Sequence, residues 1–202
     1  MSYREKDEWK DLMKTTSKVV DMSKSKNIDI LRILNLILPR GKLSFIELGC
    51  TPARWMVFFN KRFGYDVYGM DYENCDIARA NLKANNVEGE VWEGDVFDEN
   101  VFRGNKFDVV FSAGLIEHFD NYAELVKIHA DISNNYVVIL IPNLKNPVQK
   151  LRKKMMGTWE AHVPISKKEL ERAMIDANID LLLSKKIGFM GTTLMVIGKK
   201  RI

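Results

Sequence analysis

One stretch near residue 50 does most to limit the folds open to this chain. Leu43 to Leu48 is a short apolar run, Gly49 follows it as a turn residue, and a helical pattern begins soon after. An apolar run that closes on an acid and a glycine is typical of a strand end. Thr51 and Pro52 then predict a helix start, with threonine as the N-cap and proline at the first helical position. A strand, a turn and a helix in this order place backbone N–H groups at the edge of a sheet where nucleotide-like ligands bind.

The rest of the chain continues this alternation and predicts the fold class. Apolar runs of strand length alternate with segments of helical periodicity, which favours an α/β, Rossmann-like doubly wound sheet with helices on both faces. We expect seven strands, mostly parallel, with the last two forming an antiparallel hairpin because their connection is too short for a crossover. Ser166 and Glu169 have capping-box spacing at the start of the last helix. The predicted strands are 43–48, 66–70, 89–92, 107–111, 136–141, 179–189 and 192–198, and the predicted helices between them are 53–63, 75–85, 121–131 and 166–177.

The length and the pattern also predict the domain organisation. A chain of 202 residues suits a single domain. Residues 1–40 precede the alternation and contain two helical pieces, so they form an N-terminal extension that either packs on the sheet or lies over the pocket. Residues 41–202 form the ligand-binding domain. The connection 143–165 is long for a compact domain and has two interpretations, a solvated helix face followed by a loop, or a lid over a substrate.

Composition and charge limit the cellular compartments and the classes of binding partner to be expected. The net charge of +4 is too small to indicate nucleic acid by itself. The two cysteines, Cys50 and Cys75, have no metal-binding spacing and no disulfide pattern, which favours a reducing compartment. The N-terminus lacks an apolar signal core, and no apolar run is long enough to span a bilayer. We therefore expect a cytoplasmic protein without a membrane span, while the oligomeric state is left open.

Three acids follow successive predicted strands and suggest how a nucleotide would be bound. Asp71 lies 22 residues after Gly49, near the spacing at which an acid after the second strand reaches a ribose. Asp95 would lie further along the same edge, where its oxygens could accept from an adenine amine. Glu47 would lie beneath the turn and could hold the loop or meet a cationic group. Each acid alone could also be an ordinary strand-end residue that caps the following helix.

Four segments, taken in order, resemble the motifs of class I S-adenosylmethionine-dependent methyltransferases. They are Glu-Leu-Gly-Cys-Thr (47–51), Tyr-Gly-Met-Asp (68–71), Glu-Gly-Asp-Val-Phe (93–97) and Phe-Asp-Val-Val-Phe-Ser-Ala-Gly-Leu-Ile-Glu-His-Phe (107–119). The resemblance runs from about residue 43 to the C-terminus. Segment 107–119 is most similar to small-molecule methyltransferases of the ubiquinone-biosynthesis type. The resemblance implies S-adenosylmethionine as the cofactor, S-adenosylhomocysteine as its product, and an oxygen, nitrogen or carbon of a small molecule as the methyl acceptor.

The resemblance also implies which residues bind the cofactor. Asp71 would bind the ribose hydroxyls with Tyr72 beside the adenine, and Asp95 would bind the adenine amine with Val96 against the ring. The chain departs from the family's glycine-rich loop, because Thr51 and Ala53 stand where further glycines are usual. The complete set of expected cofactor-binding residues is Glu47, Gly49, Cys50, Thr51, Asp71, Tyr72, Asp95, Val96, Ala113 and Gly114.

Two histidines and a tryptophan are the candidates for chemistry on the acceptor. His118 is a candidate general base because imidazole titrates near neutral pH, and His162 is a second candidate. Trp159 and His162 would contact the substrate if the connection 143–165 is a lid. Glu117 and His118 could instead simply start or cap the helix after strand four. No metal is expected, because relatives that bind one carry a further glutamate at the position of Gly114.

Three other functions share parts of this pattern. A nicotinamide-dependent oxidoreductase shares the strand–turn–helix and Asp71, but the second and third glycines of its motif are missing and the terminal hairpin does not suit it. A non-catalytic scaffold could retain the fold. An RNA methyltransferase is supported only by the lysine-rich segment 145–154, and no Asn/Asp-Pro-Pro-aromatic run follows strand four. Nucleic acid is therefore not the expected partner.

Overall fold

A seven-stranded sheet forms the centre of the protein, with the strand order β3-β2-β1-β4-β5-β7-β6. The structure is a computed structural model that describes residues 28–149 and 162–201. The strands are β1 (Ser44–Leu48), β2 (Asp66–Asp71), β3 (Gly89–Glu93), β4 (Phe107–Ala113), β5 (Ser133–Pro142), β6 (Ile179–Ile187) and β7 (Thr193–Lys200). The described helices are α1 (Ile28–Ile37), α2 (Arg54–Phe63), α3 (Cys75–Ala84), α4 (Tyr122–Asp131) and α5 (Lys167–Asp176).

Alternating side chains along the strands build one apolar core on each face of the sheet. In β1, Phe45 packs into the core that contains Leu34 of α1 and Phe59 of α2. Its neighbour Ile46 packs into the opposite core, with Leu125 of α4. Because successive strand residues point to opposite faces, nearly continuous apolar strands are what a sheet covered on both sides requires. The expected doubly wound architecture is confirmed.

The C-terminal hairpin is also confirmed, and the structure adds its position in the sheet. β7 pairs antiparallel with β6 and with β5, so the last strand lies between the two that precede it. Gly198 allows this close packing, because a Cβ at that position would lie 2.2 Å from Ile179 Cγ2 and 2.9 Å from the Asp180 carbonyl oxygen. All pairings among β1 to β5 are parallel, which brings the carboxyl ends of β1 to β4 to one edge.

The predicted helix start at Thr51 and Pro52 is wrong by two residues. Helix α2 begins at Arg54, and its N-cap is Ala53, which has φ 66° and makes no side-chain capping hydrogen bond. The buried carboxylate of Glu47 takes over part of that role, since its Oε2 accepts from the Met56 N–H at 3.3 Å. An acid below the turn therefore satisfies a helix N–H group that the N-cap side chain leaves open.

The capping box of α5 is confirmed and gives a direct test of local stability. The Ser166 side chain accepts from the Glu169 N–H at 3.2 Å, and Glu169 Oε2 accepts from the Ser166 N–H at 2.6 Å. We expect Ser166→Ala to lower the free energy of unfolding by about 1 kcal/mol, because a helix N–H loses its partner. Urea denaturation followed by circular dichroism measures the change. Ser166→Thr keeps the hydroxyl, so an equal loss in that variant would contradict the capping explanation.

Some expectations fall outside the described ranges. Residues 1–27 and 150–161 are not described, and the latter include Trp159. The lid hypothesis for 143–165 therefore remains a prediction. The domain division at residue 40 also remains a prediction, although residues 28–40 are themselves described. Within 28–149 and 162–201, the helices are too short or too polar to cross a membrane.

Candidate cofactor and acceptor site

Parallel register brings the ends of four strands together at one edge of the sheet. Leu48 of β1 pairs with Met70 of β2 on one side and with Ser112 of β4 on the other. On the far side of β2, Asp71 pairs with Glu93 of β3. The residues that follow these strand ends were expected to bind the cofactor, and they share this edge because neighbouring parallel strands end side by side.

The loop between β1 and α2 is fastened by side chains from two neighbouring elements. The Thr51 N–H donates to Asp71 Oδ2 at 2.8 Å. The side chain of Asn81, on α3, donates to the Pro52 carbonyl at 2.6 Å. Ala53 adopts a left-handed conformation that glycine takes more readily. These contacts hold the loop in shape at the positions where the chain lacks the expected glycines.

Asp71 holds the loop and also lies where a ligand at this edge would bind. Oδ2 accepts from Thr51 and Oδ1 accepts from the Tyr72 N–H, each at 2.8 Å. Burial raises the pKa of the Asp71 carboxyl, while the hydrogen bond from the Thr51 backbone opposes the shift. The Thr51 hydroxyl and the Glu73 N–H also oppose this shift, so neighbouring donors already share the roughly four lone-pair positions of the carboxylate. Asp71 lies at the strand end where a ribose would bind, and ribose hydroxyls would share its two oxygens with these donors.

Asp95 and Val96 lie at the end of β3 in the arrangement expected for an adenine site. Asp95 is partly buried, and its Oδ1 accepts from the Phe97 N–H at 3.0 Å, which fixes the carboxylate at the start of the turn. Val96 is buried, whereas Tyr72, which directly follows β2, is 44% exposed. The Asp95 carboxylate can accept from the amine of a purine, and the side chains of Val96 and Tyr72 can contact the faces of its ring.

Gly49, Ala113 and Gly114 form the middle of the edge, between β1 and β4. Gly49 has φ 70°, and a Cβ there would lie 3.0 Å from Leu115 Cδ1. Gly114 has φ 75°, is exposed, and donates its N–H to the Leu140 carbonyl at 2.8 Å. Leu115 therefore packs closely against Gly49, whereas Gly114 leaves backbone surface uncovered where the elongated part of a nucleotide-like cofactor would pass.

Two of the expected cofactor residues lie beneath this surface. Glu47 is 3% exposed, and burial raises the pKa of its carboxyl well above the ordinary range. Burial likewise raises the pKa of the Cys50 thiol well above its ordinary value, so this thiol is protonated at neutral pH. Glu47 bonds to the first turn of α2, as described above. The arrangement supports the loop-holding role for Glu47 that was one of its two sequence-based alternatives.

The two candidate catalytic histidines are brought together, although they are distant in sequence. His118 closes a 3₁₀ turn, Ile116–His118, directly after β4, and His162 precedes α5. Their ring centroids are 4.3 Å apart with an interplanar angle of 52°. The Val163 N–H donates to the Glu117 carbonyl at 2.7 Å and fastens one segment to the other.

Glu117 is the functional candidate that the sequence analysis left out. The alternative that Glu117 and His118 cap the next helix is wrong, because the N-cap of α4 is Asn121. Glu117 is 2% exposed, and burial raises the pKa of its carboxyl to about 8. Its Oε2 has no hydrogen-bond partner in the structure. The sequence did contain a signal for this burial, because Glu117 follows an apolar strand and an isoleucine, a position that favours burial.

Comparisons with known proteins agree with this fold. Residues 45–134 match a family model described as a methyltransferase domain. A search among curated proteins finds no match.

Among solved structures, the chain is similar to the PH0226 protein from Pyrococcus horikoshii, with a TM-score of 0.77 and 14% identity over 99% of this chain and 100% of that one. It is also similar to a chain in the complex of the Haloferax volcanii Trm112 methyltransferase activator with a methyltransferase (TM-score 0.76, 13% identity, 100% of both chains). A third is the magnesium protoporphyrin IX methyltransferase of Synechocystis with bound S-adenosylhomocysteine (TM-score 0.69, 13% identity, 100% of this chain and 90% of that one). At such identities the likeness to these structures concerns the fold.

Proposed function

We propose that the chain is a class I S-adenosylmethionine-dependent methyltransferase that methylates an oxygen, nitrogen or carbon of a small molecule, as its match to a methyltransferase-domain model and its fold support. The observation that carries the proposal is the meeting of two groups of residues at Gly114. On one side lies the sheet edge with Gly49, Asp71 and Asp95. On the other lies the group of Glu117, His118 and His162, whose members are buried or partly buried.

The cofactor side of the proposal assigns each residue a task. Asp71 accepts from the two ribose hydroxyls, and its carboxylate disfavours a ribose that carries a phosphate. Asp95 accepts from the adenine amine, and Val96 and Tyr72 contact the faces of the ring. The backbone around Gly49, Ala113 and Gly114 lies along the methionine part. Glu47, Cys50 and Thr51 hold this backbone in place from below.

The acceptor side explains why a small molecule is favoured. S-adenosylmethionine supplies a methyl group on a positively charged sulfur, which is already a good leaving group. The protein's main contribution is then to hold the acceptor's lone pair in line with the methyl carbon. His118 or His162 could take a proton from an acceptor hydroxyl or amine. A small-molecule acceptor is supported by the similar Synechocystis enzyme, which carries a small molecule, a porphyrin, in its name.

Calorimetric titration followed by an activity screen tests the proposal. We expect S-adenosylhomocysteine to bind at micromolar concentration and NAD, the matched control, not to bind. Methyl transfer from labelled S-adenosylmethionine is then measured against a panel of phenols, carboxylic acids and amines, with total RNA in parallel. Transfer to small molecules alone is the expected result.

Two outcomes would contradict parts of the proposal separately. Transfer to RNA alone would replace the acceptor class while leaving the cofactor assignment in place. Absence of binding by S-adenosylhomocysteine would favour the non-catalytic scaffold, and binding of NAD instead would favour the oxidoreductase. The Trp159→Ala variant is tested in the same screen, and we expect it to bind the acceptor more weakly with unchanged cofactor affinity.

A further inference from the structure

Glu117, His118 and His162 form a compact group of ligand atoms, here called the EHH cluster. Each residue offers one ligand atom, a carboxylate oxygen or an imidazole nitrogen, and these atoms all lie within 4.8 Å of one another. Glu117 is buried and both histidines are partly exposed. Among residues 28–149 and 162–201, no other group of this kind is found.

The backbone holds the EHH cluster together from two distant parts of the chain. The 3₁₀ turn after β4 presents Glu117 and His118 side by side, with the His118 N–H bonded to the Leu115 carbonyl at 3.1 Å. The 2.7 Å hydrogen bond from Val163 to the Glu117 carbonyl sets the adjacent His162 against this turn. The geometry is thus fixed by main-chain contacts, which is what a preformed ligand site needs.

A buried carboxylate oxygen points to a missing positive partner. Glu117 Oε2 is buried and has no hydrogen-bond partner, although Glu117 is 2% exposed. Buried polar atoms are nearly always satisfied, and an unsatisfied one calls for a bound water or ion. A buried carboxylate is costly unless it is paired, coordinates a metal or takes up a proton, and a bound metal ion would displace that proton.

We propose that the EHH cluster binds a divalent transition-metal ion such as zinc. Two imidazole nitrogens and one carboxylate oxygen are a set that zinc and its first-row neighbours accept, with at least one position left for water or substrate. Magnesium and calcium prefer oxygen ligands throughout, so they suit this set less well. The sequence-based expectation of no metal considered only residues next to Glu117, whereas the third ligand comes from His162.

The location of the ion gives it a possible part in the reaction. A Cβ at Gly114 would lie 3.6 Å from Glu117 Oε1, so the cluster adjoins the sheet edge proposed for the cofactor. Resting on the proposed function, the open position of the ion would hold the acceptor's oxygen or nitrogen near the methyl group. Ligation would replace the general-base role suggested above for His118 and His162. The ion would instead lower the pKa of a bound acceptor hydroxyl, whose proton would leave to solvent.

Cobalt(II) provides a direct readout, because its visible absorption reports nitrogen and oxygen coordination without any need for turnover. The full chain, without a polyhistidine tag and freed of metal by chelation, is titrated with cobalt chloride. We expect one equivalent to bind. Glu117→Gln and His162→Gln should each weaken binding by at least about 10-fold, since loss even of a residue that only supports a ligand costs 10- to 100-fold. Glu99→Gln, an exposed carboxylate on a separate 3₁₀ turn, is the matched control and should bind normally.

Several results would overturn the metal site. They are unchanged cobalt binding in Glu117→Gln and His162→Gln, no binding in a large excess of cobalt, or a sulfur-to-cobalt band that assigns the ion to Cys50 or Cys75. If Glu117→Gln is misfolded by circular dichroism, His118→Gln replaces it with the same expectation. A failure of methyl transfer with intact cobalt binding would count against the proposed function and not against the site.

Discussion

Asp71→Ala is expected to weaken binding of S-adenosylhomocysteine by about 1–3 kcal/mol, which corresponds to roughly a 5- to 150-fold rise in Kd. Asp71 Oδ1 and Oδ2 accept the Tyr72 and Thr51 N–H groups, and ribose hydroxyls would share these two oxygens with the neighbouring donors. Hydrogen bonds to a charged acceptor are the stronger kind, so their loss should dominate the change in affinity. Calorimetric titration of both proteins measures it.

A second variant separates ribose binding from support of the loop. In Asp71→Asn, the remaining carbonyl oxygen can still accept from the Thr51 N–H, while the amide loses the charge and one acceptor. If the ribose is the partner, Asp71→Asn should remain weak. Recovery of affinity in Asp71→Asn would instead assign the loss to the loop, and unchanged affinity in Asp71→Ala would refute the ribose assignment. Asp76→Asn, whose side chain is 97% exposed, is the matched control.

The cofactor edge was predictable from sequence because its signals are local. A short apolar run followed by an acid or glycine marks a strand end, and the alternation of strands and helices makes these ends neighbours. Asp71 and Asp95 could thus be assigned to one edge without knowledge of any contact.

The boundaries that were wrong depend on partners far along the chain. Strand β4 was expected to end at Phe111, yet it continues to Ala113 because the polar Ser112 is buried against His129. The start of α2 shifts to Arg54 because Asp71 and Asn81 fix the preceding loop. Neither the contact of Ser112 with His129 nor those of the loop with Asp71 and Asn81 can be predicted from local propensity.

The acceptor side was the least predictable part of the site for the same reason. His118 and His162 could each be suggested from residue type, but their 4.3 Å ring separation arises only when the segment before α5 returns to β4. The burial of Glu117 follows from that return as well, since Val163 lies against its backbone. A single sequence shows residue types, and the fold supplies the juxtaposition.

His129 offers the second large effect, a dependence of stability on pH. It is fully buried on α4, with Nδ1 2.7 Å from the Leu125 carbonyl and Nε2 2.9 Å from Ser112 Oγ. The carbonyl requires a proton on Nδ1, so Nε2 accepts from the serine hydroxyl in the neutral ring. Burial lowers the pKa of His129 from 6.5 to about 4, with the Leu125 hydrogen bond opposing the shift.

The direction of the effect follows from where protons bind. Between pH 6.5 and 4 the unfolded chain takes up a proton at His129 that the folded chain does not. Stability is therefore complete above pH 6.5 and falls as the pH decreases towards 4, by about 3 kcal/mol in all. Between pH 7 and pH 5 the His129 contribution should amount to about 2 kcal/mol.

Urea denaturation of the wild-type protein and His129→Gln at several pH values isolates this contribution. Glutamine cannot titrate but keeps a donor for the Leu125 carbonyl, and all other groups change equally in both proteins. The stability curve of the variant should be flatter by about 2 kcal/mol between pH 7 and 5, even if the variant is less stable at pH 7. Parallel curves would show that His129 takes up its proton over the same pH range in the folded and unfolded chain, which would contradict the lowered pKa. The Ser112 hydroxyl would then have to accept from the charged ring at pH 5.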